Sequence, residues 1–285
     1  MTVEKLLQWG KSELSLLGTE EANASAEVLL SEVLSLPRTS LYLEARQAVS
    51  DEKALAYESL ITRRKQRVPT AYLTGKAYFW NETLNVDPSC LIPRPETETL
   101  IQAFIDHSGF SQNSPFEFLD LGSGSGAIGI ALLRQFPNAK ASFVDKSTDA
   151  LKITKSNLEQ YSLSGRARLI ESDLFQECSG LFWDAVVSNP PYFEKADWGL
   201  VEPEVLQEPR TALDGGPDGL FFYRAISSRV QSYLKPDSRV FVEVGQGQAK
   251  KVENIFLSEG FSGTQIFKDD LNIERVVAAR WTAHG

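Results

Sequence analysis

The alternation of apolar runs with helical segments from Phe116 onward limits the possible folds of this chain more than any other feature. The predicted strands cover residues 116–121, 141–145, 167–171, 183–188, 239–244, 264–267 and 275–280. Strands that alternate with helices build a parallel sheet with helices on both faces. We therefore predict an α/β fold with a doubly wound, seven-stranded, mostly parallel sheet, whose last two strands pair antiparallel at its edge.

The residues before this alternation predict a small helical bundle. Apolar residues recur at mostly helical spacing over residues 2–17. Thr19 opens a second helix that Pro37 ends, and Ser50 is a predicted N-cap for a third helix running to about Arg67.

A hairpin is predicted after the bundle. The β-rich runs at residues 78–80 and 83–86 flank the polar pair Asn81-Glu82. We predict a helical domain over 1–75, a hairpin connector over 76–92 and a sheet domain over 93–285. The proline-held loop at residues 91–98 is expected to form a wall of the active site.

The third predicted helix ends in a basic cluster formed by Arg63, Arg64, Lys65 and Arg67. Such a cluster suits the negative end of a helix dipole, and it also suits an acidic or RNA-bound partner. The helix-end interpretation is the simpler one.

A glycine-rich turn follows the first strand of the sheet and opens the next helix. It consists of Gly122, Ser123, Gly124, Ser125 and Gly126. Glycines let the backbone approach a ligand closely, and Asp145, at the end of the second strand, is placed to accept hydrogen bonds from ribose hydroxyls. These two features fit NAD-binding and adenosylmethionine-binding proteins alike.

Further acids lie at strand ends. Asp173, after the third strand, is placed to accept from an adenine amino group, and Leu174 to pack on the ring. Asp120, just before the glycines, is placed to receive a methionine ammonium directly or through bridging contacts. Each carboxylate has the alternative role of a loop-capping acid.

The tetrapeptide Asn189-Pro190-Pro191-Tyr192 ends the fourth strand. The carboxyl ends of parallel strands are where ligands bind in open α/β sheets, although Asn-Pro and Pro-Pro are also common turn punctuation. A planar nitrogen could donate its hydrogens to Asn189 Oδ1 and the Pro190 carbonyl while its flat face stacks on Tyr192. A nicotinamide enzyme would leave this loop unexplained.

Composition excludes several classes. The formal charge of −9 with a pI near 5.0 opposes general binding to a phosphate backbone. Cys90 and Cys178 lie far apart, and His107 and His284 are the two histidines, so a disulfide, a zinc site and a histidine triad are not expected. No signal peptide or membrane-spanning run is evident, so we expect a cytoplasmic protein.

Taken together, these motifs resemble the release factor glutamine methyltransferases, the HemK/PrmC family. The resemblance rests on residues 91–98, 120–126, 145, 172–173, 189–192 and 208–216. It covers nearly the whole chain, including the helical opening and the hairpin. One departure is Leu174, where some members carry an aromatic residue that stacks on adenine.

The resemblance implies a class I methyltransferase fold and methyl transfer from S-adenosyl-L-methionine. The acceptor would be the amide nitrogen (N5) of the glutamine in the Gly-Gly-Gln motif of class 1 peptide chain release factors, which would modulate translation termination. It implies cofactor contacts at residues 122–126, Asp145, Leu174 and Asn189, and substrate contacts at residues 189–192. It also implies that residues 1–75 recognise the substrate, and we expect a monomer without stable nucleic-acid binding.

Two alternatives remain from the residues themselves. An adenine N6 amino-methyltransferase could use the same tetrapeptide on a flipped base, although the net acidity opposes this. A binding module without activity could retain the fold, since a fold does not fix a function.

Overall fold

The computed structural model describes residues 1–282, so His284 lies outside the described residues. Its helices are α1 Val3–Glu13, α2 Thr19–Leu34, α3 Arg38–Leu43, α4 Asp51–Lys65, α5 Thr70–Thr74, α6 Glu98–His107, α7 Ala127–Gln135, α8 Thr148–Gln160, α9 Phe221–Val230 and α10 Ala249–Ser258. Its strands are β1 Lys76–Phe79, β2 Glu82–Asn85, β3 Glu117–Leu121, β4 Lys140–Asp145, β5 Ala167–Glu171, β6 Trp183–Ser188, β7 Leu234–Glu243, β8 Ser262–Lys268 and β9 Glu274–Arg280. Short 3₁₀ turns join several of these elements.

The chain forms two compact units. The first comprises Met1–Lys76 together with the segment Glu202–Gln207, and the second comprises Ala77–Val201 together with the chain from Glu208 onward. The hairpin, which the sequence predicted as a connector, therefore belongs almost wholly to the second unit.

The first unit is the predicted helical bundle. Ser50 caps α4 by accepting a hydrogen bond from the backbone N–H of Lys53. The first helix ends at Glu13, earlier than predicted, and Ser15–Leu17 form a 3₁₀ turn in which Leu16 is 90% exposed. The prediction made this helix too long because it counted Leu16 as a core residue, whereas Leu16 is exposed.

The basic residues at the end of α4 form ion pairs with acidic residues of the first unit. The Arg64 side chain is only 3% exposed, and its guanidinium lies 2.9 Å from Glu21 and 2.8 Å from Glu204. Lys65 pairs with Glu13 at 2.7 Å, and Arg67 with Glu204 at 3.2 Å. Arg64 thus holds the segment Glu202–Gln207 against α4 and is not free for a partner.

The hairpin turns one residue earlier than predicted. Trp80 and Asn81 occupy its two turn positions with φ of 48° and 63°, the left-handed pair expected for a tight two-residue loop. Glu82 begins β2 and is 9% exposed, paired with Arg134. This ion pair is formed with a residue distant in sequence, which local turn signals do not reveal.

The second unit contains the predicted seven-stranded sheet, in the order β5-β4-β3-β6-β7-β9-β8. The first five of these strands are parallel, whereas β9 runs antiparallel to both β7 and β8. β7 and β8 are longer than predicted, and β7 begins at Leu234 because its pairing with β6 continues across an irregularity despite Pro236. Apolar side chains pack on both faces of the sheet.

The topology places the site. Chain order reverses at β3, which pairs with β4 on one side and with β6 on the other. A crevice forms at such a switch point, beyond the carboxyl ends of the strands. Across residues 1–282, none of the helices has the length and apolar character to span a membrane.

Candidate active site

A cavity of about 620 Å³ lies at this switch point. The predicted site residues that line it are Gly122, Ser123, Gly124, Ser125, Asp145, Asp173, Leu174, Asn189, Pro190 and Pro191. Asp120, Gly126 and Tyr192 lie outside its lining. The cavity size suits a nucleoside-sized ligand with an adjoining substrate group.

The glycine-rich turn is held in place by side chains of α8. Gly122 and Gly124 adopt φ of 73° and 56°, a region that other residues enter at a cost. From α8, the hydroxyl of Thr154 donates to the Gly124 carbonyl at 2.8 Å and Asn157 Nδ2 donates to the Ser125 carbonyl at 2.9 Å. The turn is therefore a fixed cradle.

Asp145 fastens this cradle to the end of β4. Its Oδ2 accepts from the N–H of Gly124 and its Oδ1 from the N–H of Ser147, both at 2.8 Å. Burial raises the pKa of Asp145, and these backbone hydrogen bonds oppose the rise. The carboxylate faces the cavity with lone pairs remaining for further donors.

Asp120 lies beneath the cradle. Its side chain is 1% exposed, and Oδ2 accepts from the N–H of Gly129 at 2.8 Å. Its Oδ1 has no hydrogen-bond partner within residues 1–282, and neither has Ser123 Oγ. Burial raises the pKa of Asp120 to about 8. An orphaned carboxylate oxygen here fits a ligand that carries a positive charge, reached through a bridging group because Asp120 does not line the cavity.

The turn after β5 forms a more open part of the cavity. Asp173 pairs with Lys146 at 2.8 Å with its side chain 42% exposed. Leu174 adopts φ of 55° and presents its side chain to the cavity.

The tetrapeptide begins where β6 ends. Ser188 Oγ donates to the Leu121 carbonyl at 2.7 Å, which locks β6 to β3 beside the cavity. Asn189 Nδ2 donates to Thr97 Oγ1 at 3.2 Å. Because the nitrogen of the amide is directed at Thr97, Asn189 Oδ1 is left to accept from another group.

Tyr192 is held from behind the cavity. Its carbonyl accepts from Gln248 Nε2 at 3.0 Å, and Gln248 Oε1 accepts from the N–H of Gly245 at 3.1 Å. Burial raises the pKa of Tyr192 well above its ordinary value, so the phenol stays neutral. Sequence patterns gave no sign of Gln248 or Gly245 in this role.

Three glycines from two stretches of the chain lie against Tyr192: Gly215 and Gly219 from one and Gly245 from the other. A Cβ on Gly215 would lie 2.6 Å from Tyr192 Cα, one on Gly219 would lie 2.5 Å from its carbonyl oxygen, and one on Gly245 would lie 3.0 Å from its ring. A Cβ at Gly215 or Gly219 would displace the backbone of Tyr192, and one at Gly245 would press on the side chains of Tyr192 and Gln248. Only Gly215 belonged to a motif identified in the sequence.

The loop predicted as a wall does line the cavity, through Leu91, Pro93, Arg94 and Thr97. The buried carboxylate of Glu208 accepts from the N–H of Ile92 at 3.0 Å and pairs with Arg94. This pair fixes the loop from a segment more than a hundred residues away.

The structure also adds residues that the sequence did not single out. Phe222 and Ile226 of α9 line the cavity, and Glu243, the last residue of β7, is buried beside Asn189. The position of Glu243 was a usable signal, since an acid at the carboxyl end of a predicted parallel strand lies at the ligand edge.

Comparison with known proteins agrees with this geometry. The family model described as PrmC N-terminal domain matches residues 5–75, and the one described as Methyltransferase small domain matches residues 97–220. A release factor glutamine methyltransferase of Geobacter sulfurreducens is 37% identical over 280 residues, which are 98% of this chain and 96% of the relative. Another, of Caulobacter vibrioides, is 34% identical over 280 residues, 97% of this chain and 96% of the relative.

A solved structure shares the fold alone. It is a 16S rRNA methyltransferase of T. thermophilus, RsmC, in complex with AdoMet and guanosine. The TM-score is 0.54 at 20% identity, with 72% of this chain and 49% of that chain covered.

Proposed function

Because the chain belongs to the release factor glutamine methyltransferase family, we propose that it methylates a glutamine side chain of class 1 peptide chain release factors. The methyl donor is S-adenosyl-L-methionine, and the acceptor is the amide nitrogen (N5) of the glutamine in the Gly-Gly-Gln motif. The observation that carries the proposal is Asn189, which lines the cavity together with Pro190 and whose amide nitrogen donates to Thr97, so that Oδ1 is left to accept from a substrate.

The residues at the switch point suit this donor. The cradle of residues 122–126 would face its methionine part, Asp145 its ribose hydroxyls, and Asp173 with Leu174 its adenine. Burial keeps Asp120 mostly protonated at neutral pH in the cofactor-free protein, and the donor's ammonium and sulfonium charges would favour its ionised form, with the orphaned Oδ1 beneath the cradle. When bound, this donor supplies a methyl group that is already strongly electrophilic.

The protein's task is therefore to prepare the acceptor nitrogen. An amide nitrogen shares its lone pair with its carbonyl and is a poor nucleophile. Asn189 Oδ1 and the Pro190 carbonyl would accept its two hydrogens, orient the lone pair and increase electron density on the nitrogen as the new bond forms. The excess proton leaves after transfer, so no side chain is required as a general base.

Tyr192 has a supporting role in this scheme. Tyr192 does not line the cavity, but it follows Pro191 in the sequence and its ring lies against Gly245. Its ring would support the flat face of the substrate amide and help to exclude water from it.

The first unit is proposed to recognise the protein substrate. Its support is the match of residues 5–75 to the family model described as PrmC N-terminal domain. We also propose that the protein acts in the cytoplasm, where release factors act, and as a monomer.

The test is methyl transfer to a purified bacterial release factor. The protein is incubated with labelled S-adenosyl-L-methionine and either the intact factor or a copy whose motif glutamine is changed to alanine. Label on the intact factor alone supports both substrate and site. Label on neither factor but on added nucleic acid would favour adenine methylation instead.

A further inference from the structure

Glu243 is a buried acid that the mechanism above does not use. It ends β7, its side chain is 2% exposed, and Oε2 has no hydrogen-bond partner among residues 1–282. An unpaired carboxylate oxygen in the protein interior is costly, so its presence beside a reaction site points to a role there.

A chain of polar groups connects this acid to the tetrapeptide. Asn189 Nδ2 donates to Thr97 Oγ1 at 3.2 Å. Because that hydroxyl oxygen is already an acceptor, the hydroxyl hydrogen of Thr97 is free to point elsewhere. Thr97 and Asn189 both lower the pKa of the buried Glu243 carboxyl by hydrogen bonding, so this carboxylate is the acceptor to which we assign the Thr97 hydroxyl hydrogen.

We propose that Glu243 is a positioning residue that acts through Thr97 to hold Asn189 with Oδ1 toward the reacting nitrogen. The proposal rests on the proposed function and adds a requirement to it. An asparagine amide has two nearly isosteric orientations, and only the one with oxygen at the substrate can accept a hydrogen. An ionised carboxylate accepts but cannot donate, so it imposes one direction on the whole chain.

Protonation of Glu243 reverses this direction. The protonated acid donates to Thr97, the Thr97 hydroxyl then donates to Asn189 Oδ1, and the amide nitrogen turns toward the substrate. Burial raises the pKa of Glu243 to about 7, Thr97 and Asn189 lower it by hydrogen bonding, Arg275 lowers it by its charge, and Glu96 raises it.

Other groups near Glu243 do not compete for the proton at neutral pH. The phenols of Tyr192 and Tyr223 both have raised pKa values because they are buried, so they stay neutral. The Tyr223 hydroxyl donates to the backbone carbonyl of Glu243 at 2.9 Å and leaves the carboxylate alone. The rate of methyl transfer should therefore rise with pH through about 7 and then level off.

The experiment compares Glu243→Gln, Thr97→Val and Thr97→Ser with the wild-type chain. The kcat for a release factor is measured between about pH 5.5 and pH 8.5, and the affinity for S-adenosylhomocysteine is measured by calorimetry on each protein. Glu243→Gln should lose the acid limb and about tenfold or more in kcat at high pH, because a glutamine does not fix the chain's direction. Thr97→Val should lose a similar factor, and Thr97→Ser, which keeps the hydroxyl, should restore most of it.

A second threonine–glutamate pair provides the matched control. Thr264 donates to Glu253 at 2.8 Å in the same unit, and neither residue lines the cavity. Glu253→Gln should keep both kcat and the acid limb. Thr97→Val removes the hydroxyl and keeps the branched shape, whereas Thr97→Ser keeps the hydroxyl and loses the methyl group. Their kcat values and acid limbs therefore still test the hydroxyl's role if Glu243→Gln does not fold.

Each outcome has a distinct meaning. If Glu243→Gln keeps wild-type kcat and the acid limb, or if Thr97→Val matches Thr97→Ser, the positioning role is wrong. If affinity for S-adenosylhomocysteine falls as far as kcat, Glu243 supports the fold and not the orientation of Asn189. If the wild-type chain does not methylate the factor at all, the proposed function fails instead.

Discussion

The sharpest test of how Tyr192 is held is the substitution Gly215→Ala. A Cβ at this position would lie 2.6 Å from Tyr192 Cα and 2.8 Å from its carbonyl carbon. Ordinary van der Waals contact begins at 3.4 Å, so the backbone of Tyr192 must retreat by about 0.8 Å. The neighbouring atoms are backbone and cannot swing aside as a side chain would.

This displacement should reduce catalysis more than folding. A misplacement of about 1 Å can cost roughly 100-fold in rate, so we expect kcat to fall by about 10–100-fold. The strain of overpacking is about 1–3 kcal/mol, which lowers the melting temperature by roughly 2–4 °C per kcal/mol in a protein of this size. Affinity for S-adenosylhomocysteine should be nearly unchanged, because the cradle and Asp145 do not contact Gly215.

The assay measures initial rates of labelled methyl transfer to a release factor at saturating donor, with calorimetric titration of S-adenosylhomocysteine on the same preparations. Gly199→Ala is the control, since this exposed glycine lies in the same loop and a Cβ there meets nothing within 4 Å. Equal kcat for the two variants would refute the reasoning, because Tyr192 would then tolerate the shift.

Three further predictions concern single side chains. Asn189→Asp should lower kcat by about 100-fold at neutral pH, because a charged carboxylate replaces the amide that Thr97 orients; near wild-type turnover would remove the role of the neutral amide. In the cofactor-free protein the free energy of unfolding, measured by denaturant titration, should fall as pH rises from about 4 to about 8, because burial raises the pKa of Asp120 to about 8 and the folded chain holds that proton more tightly. Asp120→Asn should flatten this pH dependence, and an unchanged slope in the variant would contradict the assignment. Arg64→Ala should lower the free energy of unfolding by about 2–3 kcal/mol, because it leaves Glu204 without its buried partner. Lys65→Ala, which breaks an exposed ion pair, should lower it by under about 1 kcal/mol. Equal losses would show that the burial of Arg64 does not set the cost.

The gathering of the glycine turn, Asp145 and Asn189 around one cavity was predictable because it follows from local sequence and sheet topology. The glycine turn, Asp145 and Asn189 each end a strand, and the carboxyl ends of parallel strands meet at one edge. Once the strands are assigned, these residues must lie close together whatever the details of packing.

The supports of the tetrapeptide were not predictable in the same way. Gln248 and Gly219 reach the site from positions that no motif marks. Glu208 belongs to the motif at residues 208–216, but the motif does not show that its carboxylate holds the wall loop, which is a tertiary contact. The hairpin register was missed for the same reason, since burial of Glu82 against Arg134 outweighs the local turn signal. Local propensity contains no information about a partner fifty or more residues away.

This difference divides the site into two halves that should fail separately. The half that would hold the methyl donor is one continuous βαβαβ region, residues 120–174, fastened by hydrogen bonds between its own side chains and backbone. The half that would hold the acceptor nitrogen depends on a wall loop, the tetrapeptide, three glycines and the end of β7, which meet only in the folded protein. Its chemical groups are an amide oxygen and a backbone carbonyl, neither of which is reactive by itself, so their value lies wholly in position. Substitutions among the supporting residues should therefore reduce kcat with little change in donor affinity, and substitutions in the cradle should do the reverse.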